Sequence, residues 1–191
     1  MTTDMRARTR RAPIGRRLPL AVVLSAAGLL TSACVGPSAT ATGEQVSSFS
    51  LPVLANSSHP ISLSEYAGQP MIVVFWATWS PGSAAEIGVL GHFYRTHKHR
   101  VLIVGVDASD NRGAALRLVH RMRVDYPVAS DPNLTLYNKL HAPGVPAAYF
   151  LDAQHEVVDT QLGSLTWGQI RQGVRAMRTG TVFSVPDGSG D

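Results

Sequence analysis

Ser80, Ser83 and Glu86 follow one another at intervals of three residues, shortly after an apolar run that ends at Trp76. A serine becomes a nucleophile when a base and an orienting group accompany it. No G-x-S-x-G motif surrounds either serine, and no histidine is near them in the sequence. We therefore expect Ser80 to act as the N-cap of a helix rather than to attack a substrate.

These residues follow a predicted strand and lie in the helix after it. The run Met71–Trp76 is apolar and bounded by turn residues, which predicts a strand buried on both faces. Pro81 suits the first helical position, where no backbone N–H is needed. Apolar residues at helical spacing then predict a helix from residue 83 to about residue 97.

The sequence around the turn resembles a known active-site segment. Residues 75–79 (Phe-Trp-Ala-Thr-Trp), Pro81 and residues 85–86 (Ala-Glu) match the pattern FWATWCPPCRAEMP of the TlpA/ResA-like thioredoxin-fold thiol-disulfide oxidoreductases. Ser80 and Ser83 stand where that family carries its two cysteines. Disulfide exchange needs a thiolate, and a serine hydroxyl cannot form a disulfide. The resemblance thus implies a thioredoxin-like fold, whereas the serines predict a redox-inactive member with no catalytic residues and no cofactor.

Glu86 matches the family's acidic residue, which assists proton movement at the thiols. Without thiols it has nothing to deprotonate. Its carboxylate could be a remnant, satisfy a local polar group, bind a donor of a partner or lie exposed on the helix. Gly82 is a further departure, because it replaces a proline that is common in the family.

A second family hallmark lies at Val145 and Pro146, where the resemblance implies a cis proline facing the active-site helix. Trp79 would stand beside the turn and form an apolar shelf with Pro146, unless it is buried in the core. Such a shelf can hold an extended peptide through main-chain hydrogen bonds. We predict a binding surface that comprises Trp79, Pro81, Val145 and Pro146.

Three histidines near the end of the predicted helix, His92, His97 and His99, could in principle ligate zinc or copper. No acidic or sulfur ligand accompanies them, and the surrounding segment is basic. We interpret the segment as a solvated helix end with cations near its negative dipole, and predict no metal.

The remaining pattern completes a fold prediction. The order strand, helix, strand, helix from residue 71 to residue 123 predicts parallel strands. The class is α/β, and the family resemblance implies a central mixed sheet flanked by helices, with an added N-terminal hairpin. The other predicted elements are a hairpin in 48–63, a helical turn at 63–66, strands at 101–107, 126–128 and 147–151, a turn at 154–156, and helices at 111–123, 131–140 and 166–177.

The first 33 residues have the pattern of an export signal, with arginines followed by an apolar run at 18–30 and then small residues before Cys34. This ending resembles a bacterial lipobox, so we expect lipidation of Cys34, the only cysteine in the chain. An ordinary secretory signal or an uncleaved anchor is the alternative. We expect a flexible tether at 34–46, a thioredoxin-like domain at 47–180 and a disordered tail at 181–191.

Charge argues against a nucleic-acid partner. Six of the 17 Lys and Arg residues and one of the 13 Asp and Glu residues lie before residue 34, so 11 basic residues remain against 12 acidic ones. We expect an exported, membrane-anchored module that binds an extracytoplasmic protein or peptide. The alternatives are a role in extracytoplasmic thiol-disulfide redox or cytochrome c maturation pathways, or an enzyme of other chemistry.

Overall fold

The computed structural model describes residues 43, 45–55, 59–97 and 101–180. These residues form a five-stranded sheet, a small two-stranded sheet and four helices. The strands are β1 Ser50–Leu51, β2 Ile61–Ser62, β3 Met71–Trp76, β4 Leu102–Ala108, β5 Val128–Asp131, β6 Ala147–Leu151 and β7 Val157–Leu162. The helices are α1 Ser83–His97, α2 Arg112–Arg121, α3 Thr135–Lys139 and α4 Trp167–Thr179, with a 3₁₀ turn at Leu63–Tyr66.

The central sheet has the order β5-β4-β3-β6-β7. Strand β3 pairs in parallel with β4, which pairs in parallel with β5, whereas β6 and β7 run antiparallel to their neighbours. The chain has a thioredoxin-like fold, as the sequence predicts. The mixed sheet and the helix α1 between two parallel strands are both confirmed.

Strand β3 is buried along its whole length because it is covered on both faces. Its alternate residues contribute to two separate cores, as the period of a strand requires. Ile72, Val74 and Trp76 pack with residues of α1, α2 and α4. Met71, Val73 and Phe75 pack with residues of the N-terminal hairpin and α3. The sheet therefore carries three helices on one face, and α3 with the hairpin on the other.

The N-terminal hairpin is present, although each strand has only two residues. Leu51 pairs with Ile61 in antiparallel register. The chain after β1 continues along the edge of the main sheet, where Val53 bridges Ala129 of β5. The predicted turn at 56–59 falls mostly outside the described residues, since only His59 is described.

Two predicted elements are displaced. The strand expected at 126–128 is observed at Val128–Asp131, because Pro127 has no N–H to donate to a ladder. The helix expected at 131–140 begins only at Thr135. The reason is Asp131, whose carboxylate accepts hydrogen bonds from the N–H groups of the first helical turn and so lies outside the helix. Helix α2 is shorter than predicted, at Arg112–Arg121.

The signal, the lipidation site and the tail (residues 1–42 and 181–191) lie outside the described residues. In the part that is described, Gln45 bridges Glu156, and the Val46 N–H donates to the carbonyl of His155 at 2.9 Å. No helix among the described residues has both the length and the apolarity that a membrane span needs.

Candidate functional site

The candidate site is the turn between β3 and α1. Parallel strands β3 and β4 end side by side, with Trp76 in register with Asp107. Ligand sites of open α/β sheets lie outside these carboxyl ends of the strands. The two serines, Trp79, Pro146 and an acidic pair all lie around this edge.

Ser80 does not cap helix α1 with its side chain. Its Oγ donates a hydrogen bond to the carbonyl oxygen of Val145 at 2.8 Å, and its own backbone carbonyl accepts from the N–H of Ser83. The sequence prediction of a capping hydroxyl is therefore wrong, because a nearer acceptor on another segment takes the proton. Pro81 correspondingly lies in the turn before the helix and is exposed.

Ser83 is the first residue of α1 and is fully buried. Its Oγ accepts a hydrogen bond from the backbone N–H of Ala77 at 3.2 Å, so it closes the turn from inside. Ser80 is only 6% exposed. Both hydroxyls therefore stabilise the backbone, and no base that could activate either one is hydrogen-bonded to it among the described residues.

The cis proline is confirmed, since the Val145–Pro146 bond is cis. Gly82 allows this segment and the loop after β7 to approach the turn closely. A Cβ at position 82 would lie 2.7 Å from Ser164 Oγ and 3.3 Å from the Pro146 ring. The Gly82 carbonyl also accepts from Ser164 Oγ at 3.1 Å. This packing gives a physical reason for glycine where the family often has proline.

Trp79 is 65% exposed, which makes it the most exposed large apolar side chain of the described residues. Core burial, the alternative that the sequence left open, is wrong for this residue. Pro146 is instead buried, and it cannot supply half of a broad open shelf. Of the four predicted binding residues, Trp79 and Pro81 are exposed and Val145 is partly exposed.

Two aspartates that the sequence analysis did not single out lie on the β4 side of the turn, and one of them, Asp110, holds it. Asp110 accepts hydrogen bonds from the backbone N–H of Thr78 at 2.5 Å and from Thr78 Oγ1 at 2.7 Å. Asp107 is buried, and its Oδ1 has no partner among the described residues. Burial, together with the charge of Asp110, raises the pKa of Asp107 to about 7. The Asp-x-x-Asp spacing at the end of a predicted buried strand is the sequence signal that could have indicated these two residues.

Glu86 lies inside the protein, so one of the alternatives left open by the sequence, an exposed helix carboxylate, is wrong. Its side chain is fully buried, and neither carboxylate oxygen has a hydrogen-bond partner among the described residues. Burial raises the pKa of Glu86 to about 8, so the neutral acid is the main form at pH 7. Among the described residues, the Trp76 Nε1 and Tyr126 hydroxyl atoms are likewise buried without a partner, and a Cβ on Gly105 would lie 3.1 and 3.0 Å from these two side chains.

The histidines do not converge. His92 packs edge-on against Trp167, with ring centroids 5.4 Å apart, and His97 stacks on Phe93 at 4.2 Å. His99 lies outside the described residues. Across the described part of the chain, no group of three or more His, Cys, Asp or Glu residues could hold a metal ion.

Comparison with known proteins agrees with the fold. The AhpC/TSA family matches residues 42–160. The chain belongs to the AhpC/TSA family. Within it, the thiol-disulfide oxidoreductases of the ResA and DsbE types are the relatives found, which supports the TlpA/ResA-like assignment made from the sequence.

Three relatives illustrate the range of similarity. The thiol:disulfide interchange protein DsbE of Xylella fastidiosa is 30% identical over 113 residues, which are 59% of this chain and 56% of that protein. The chain thus spans little more than half the length of this relative. The thiol-disulfide oxidoreductase ResA of Geobacillus kaustophilus is 24% identical over 83% of this chain and 92% of its own. A secreted Mycobacterium tuberculosis disulfide oxidoreductase shares the fold with a TM-score of 0.59, at 21% identity over 67% of this chain and 95% of that chain.

Proposed function

We propose that this protein is a redox-inactive, membrane-anchored member of its family that binds an extracytoplasmic protein or peptide at the turn between β3 and α1. One observation carries the proposal. The hydroxyls at both serine positions are buried and held by backbone groups, while Trp79 beside them is 65% exposed. The site has lost its reactive groups and has kept a surface group suited to recognition.

The chemical part of the proposal follows from the absence of a thiol. Disulfide exchange proceeds through a thiolate and a mixed disulfide, and neither Ser80 nor Ser83 can form one. Cys34 is the only cysteine of the chain and lies far from the serines in the sequence. Buried Glu86, whose pKa is raised to about 8 by desolvation, has no thiol to serve.

The binding part rests on the chemistry of the exposed groups. A tryptophan supplies a large apolar contact at little conformational cost, and such residues dominate binding energy at interfaces. The Val145 N–H has no hydrogen-bond partner among the described residues, so it could donate to an extended peptide. The Val145 carbonyl already accepts from Ser80, although a carbonyl oxygen has a second lone pair. Trp79 and Val145 are therefore the predicted anchor and main-chain contact.

The anchoring part rests on the sequence before the domain. A diacyl group on Cys34 would hold the protein at a membrane by burying its methylene groups. Relatives that carry an export-related description, such as the secreted disulfide oxidoreductase, support an extracytoplasmic location. We expect Cys34→Ala to move the protein out of the membrane fraction, whereas unchanged partitioning would assign the anchor to the apolar run at 18–30.

A disulfide-reductase assay tests the chemical part. The unmodified protein should stay at the background rate, and Ser80→Cys with Ser83→Cys should acquire activity, because the dithiol then sits at the start of α1, where a helix dipole lowers a thiol pKa. Ser80→Cys alone is the matched control and should not turn over. Measurable reduction by the unmodified protein would overturn redox inactivity.

Crosslinking and co-purification from native membranes test the binding part. The unmodified protein should capture a partner that Trp79→Ala loses, since truncation of an anchor residue commonly costs more than 2 kcal/mol of binding. Trp167→Ala is the control, because Trp167 is also exposed (37%) but lies on α4. Equal capture by the Trp79→Ala variant would place the interaction elsewhere on the domain.

A further inference from the structure

We propose that the end of the domain at which α1, α2 and α4 terminate docks on the surface of an anionic phospholipid bilayer. This basic end is defined by Arg95, Arg121, Arg123, Arg175 and Arg178, all of which are exposed. The inference rests on the anchoring part of the proposed function and adds an orientation to it. The serine-bearing turn would then face away from the membrane.

The charges of the described residues are strongly one-sided. Eight of the nine described Lys and Arg residues lie in or directly after the three helices that share one face of the sheet. The exception is Lys139, which lies on α3. Among the carboxylates on the helical side, Glu86 is fully buried, and burial raises its pKa to about 8, so it opposes the arginines only weakly.

Few of these arginines are neutralised. The one ion pair among the described residues joins Arg95 to Asp125 at 3.8 Å, between side chains that are 46% exposed. Arg112 is occupied differently, since its guanidinium donates to the Leu54 carbonyl at 2.8 and 3.0 Å. The five arginines outnumber the described carboxylates at the same end, which are those of Asp125, Asp152 and Glu156. The basic end therefore keeps a net positive charge, although the chain after residue 33 is nearly neutral overall.

The three helix ends meet in space. Helices α1 and α2 each connect two parallel strands, so each runs back against the strand direction and ends where the strands begin. Arg95 in the last turn of α1 donates to the carbonyl of Arg123 after α2, at 3.5 Å. His97 at the end of α1 lines one groove with Arg175 and Arg178 of α4. The negative dipole ends of the helices favour these cations.

The surface at this end has the chemistry of a lipid headgroup site. The groove between α1 and α4 has a volume of about 250 Å³ and combines an apolar floor with a basic rim. It is lined by Phe93, His97, Arg171, Val174, Arg175 and Arg178. Guanidinium groups bind phosphate through two parallel hydrogen bonds, and apolar floor residues can meet the glycerol region of a lipid.

The chain before the domain joins it at the same end. Gln45 bridges Glu156 and a Cβ on Gly43 would touch the carbonyl of Val157, the first residue of β7. Strand β7 begins at the end of the sheet where β3 begins, because each of them is antiparallel to β6. A lipidated Cys34 would thus hold the basic end near the bilayer, because the 11 residues from 34 to 45 span at most about 40 Å even when fully extended. This short connection favours a bilayer over an acidic protein as the occupant.

The test uses the full lipidated chain reconstituted into phosphatidylcholine vesicles with and without about 30% phosphatidylglycerol. A fluorophore is attached at Gln172→Cys, beside the α4 arginines, or at Ala85→Cys, at the opposite end of α1. Lipids that carry a headgroup quencher report proximity. We expect strong quenching at position 172 with phosphatidylglycerol, loss of it at 0.5 M salt, and little quenching at position 85 in any vesicle.

Charge variants complete the test. Arg121→Gln, Arg175→Gln and Arg178→Gln together should lower the ratio of docked to undocked domain on the order of 100-fold, because each arginine near an anionic surface contributes about 1 kcal/mol. Lysine at the same three positions keeps the charge and should preserve docking. The proposal would be overturned if quenching at position 172 were the same with and without phosphatidylglycerol, or if it stayed unchanged in the triple glutamine variant. Mass analysis of Cys34 separately reports whether the anchor exists, so a missing anchor is distinguished from a missing docking surface.

Discussion

Replacing Glu86 should make the domain more stable at neutral pH. The side chain lies between α1 and the sheet, fully buried, with two carboxylate oxygens that have no partner among the described residues. Burial raises the pKa from an ordinary 4.5 to about 8. Methionine at this position has a similar unbranched shape and no group to ionise, so Glu86→Met removes both the titration and the unpaired oxygens.

The direction in which stability changes with pH follows from proton binding. Between pH 4.5 and pH 8 the folded protein keeps the Glu86 proton, whereas the unfolded chain has released it, so the free energy of unfolding falls as pH rises. Each pH unit in this window costs about 1.4 kcal/mol, which amounts to about 3 kcal/mol by pH 7. Below pH 4.5 both states hold the proton and the titration contributes nothing. The free energy of unfolding of Glu86→Met should therefore exceed that of the unmodified domain by about 3 kcal/mol at pH 7, and by much less near pH 4.5.

Urea denaturation of a soluble version beginning at Val35 measures this difference at pH 4.5, 6, 7 and 8. Other buried carboxyls, such as Asp107 and Asp159, also make stability depend on pH, but they cancel when the variant is compared with the unmodified protein at each pH. Glu65→Gln is the matched control, because Glu65 is an exposed glutamate of the 3₁₀ turn. Its substitution should leave the pH profile unchanged.

Two outcomes of the denaturation experiment would refute this prediction. A Glu86→Met curve that runs parallel to the unmodified one at all pH values would show that Glu86 titrates normally in the folded protein. A variant less stable than the unmodified domain at pH 8 would show that the carboxylate has a stabilising partner. Either result would remove the argument that this residue is a neutral acid in the core.

Two further substitutions test the packing. Gly173→Ala should destabilise the domain by about 1 to 3 kcal/mol in thermal unfolding, because its Cβ would lie 2.3 to 2.5 Å from the Phe150 ring. Gly168→Ala in the same helix is the control. Its Cβ would meet nothing closer than 3.7 Å, so this substitution should be neutral or stabilising. Asp131→Ala should cost about 1 to 2 kcal/mol, since it removes the acceptor of three N–H groups at the start of α3. Asn133→Ala, at an exposed neighbouring position, should change the denaturation midpoint little, and equal effects of the two would contradict the capping role.

The elements around the site could be predicted because local pattern and family resemblance agree there. A six-residue apolar strand and a helix with regular apolar spacing are strong signals, and β3 and α1 lie where they were expected. The start of α3 could not be predicted, because it depends on the Asp131 carboxylate, which accepts hydrogen bonds from N–H groups four to six residues later. The hydrogen bond from Ser80 to Val145 joins positions 65 residues apart, and no local pattern reports it.

The burial of titratable groups and the separation of charge are the other parts that the sequence did not reveal. Glu86 occupies a helix position where an exposed and a buried carboxylate look alike until the tertiary packing is known. The basic end could not be predicted from the composition either. Acidic residues elsewhere in the chain balance its arginines in the composition, and only the direction of three helices brings Arg95, Arg123 and Arg178 to one end. Composition measures the sum of the charges, and recognition depends on their separation.

The two proposals together constrain the partner. Helix α1 has 15 residues, so it is about 22 Å long, with Ser83 at one end and His97 at the other. If the basic end lies on the headgroups, Trp79 projects from the far end of this helix, at least that distance above the bilayer. A short loop of a membrane protein could not reach it, whereas a folded extracytoplasmic domain or an extended segment of a secreted protein could. Crosslinks captured through Trp79 should accordingly come from such domains, and crosslinks to residues next to a membrane span would contradict the orientation.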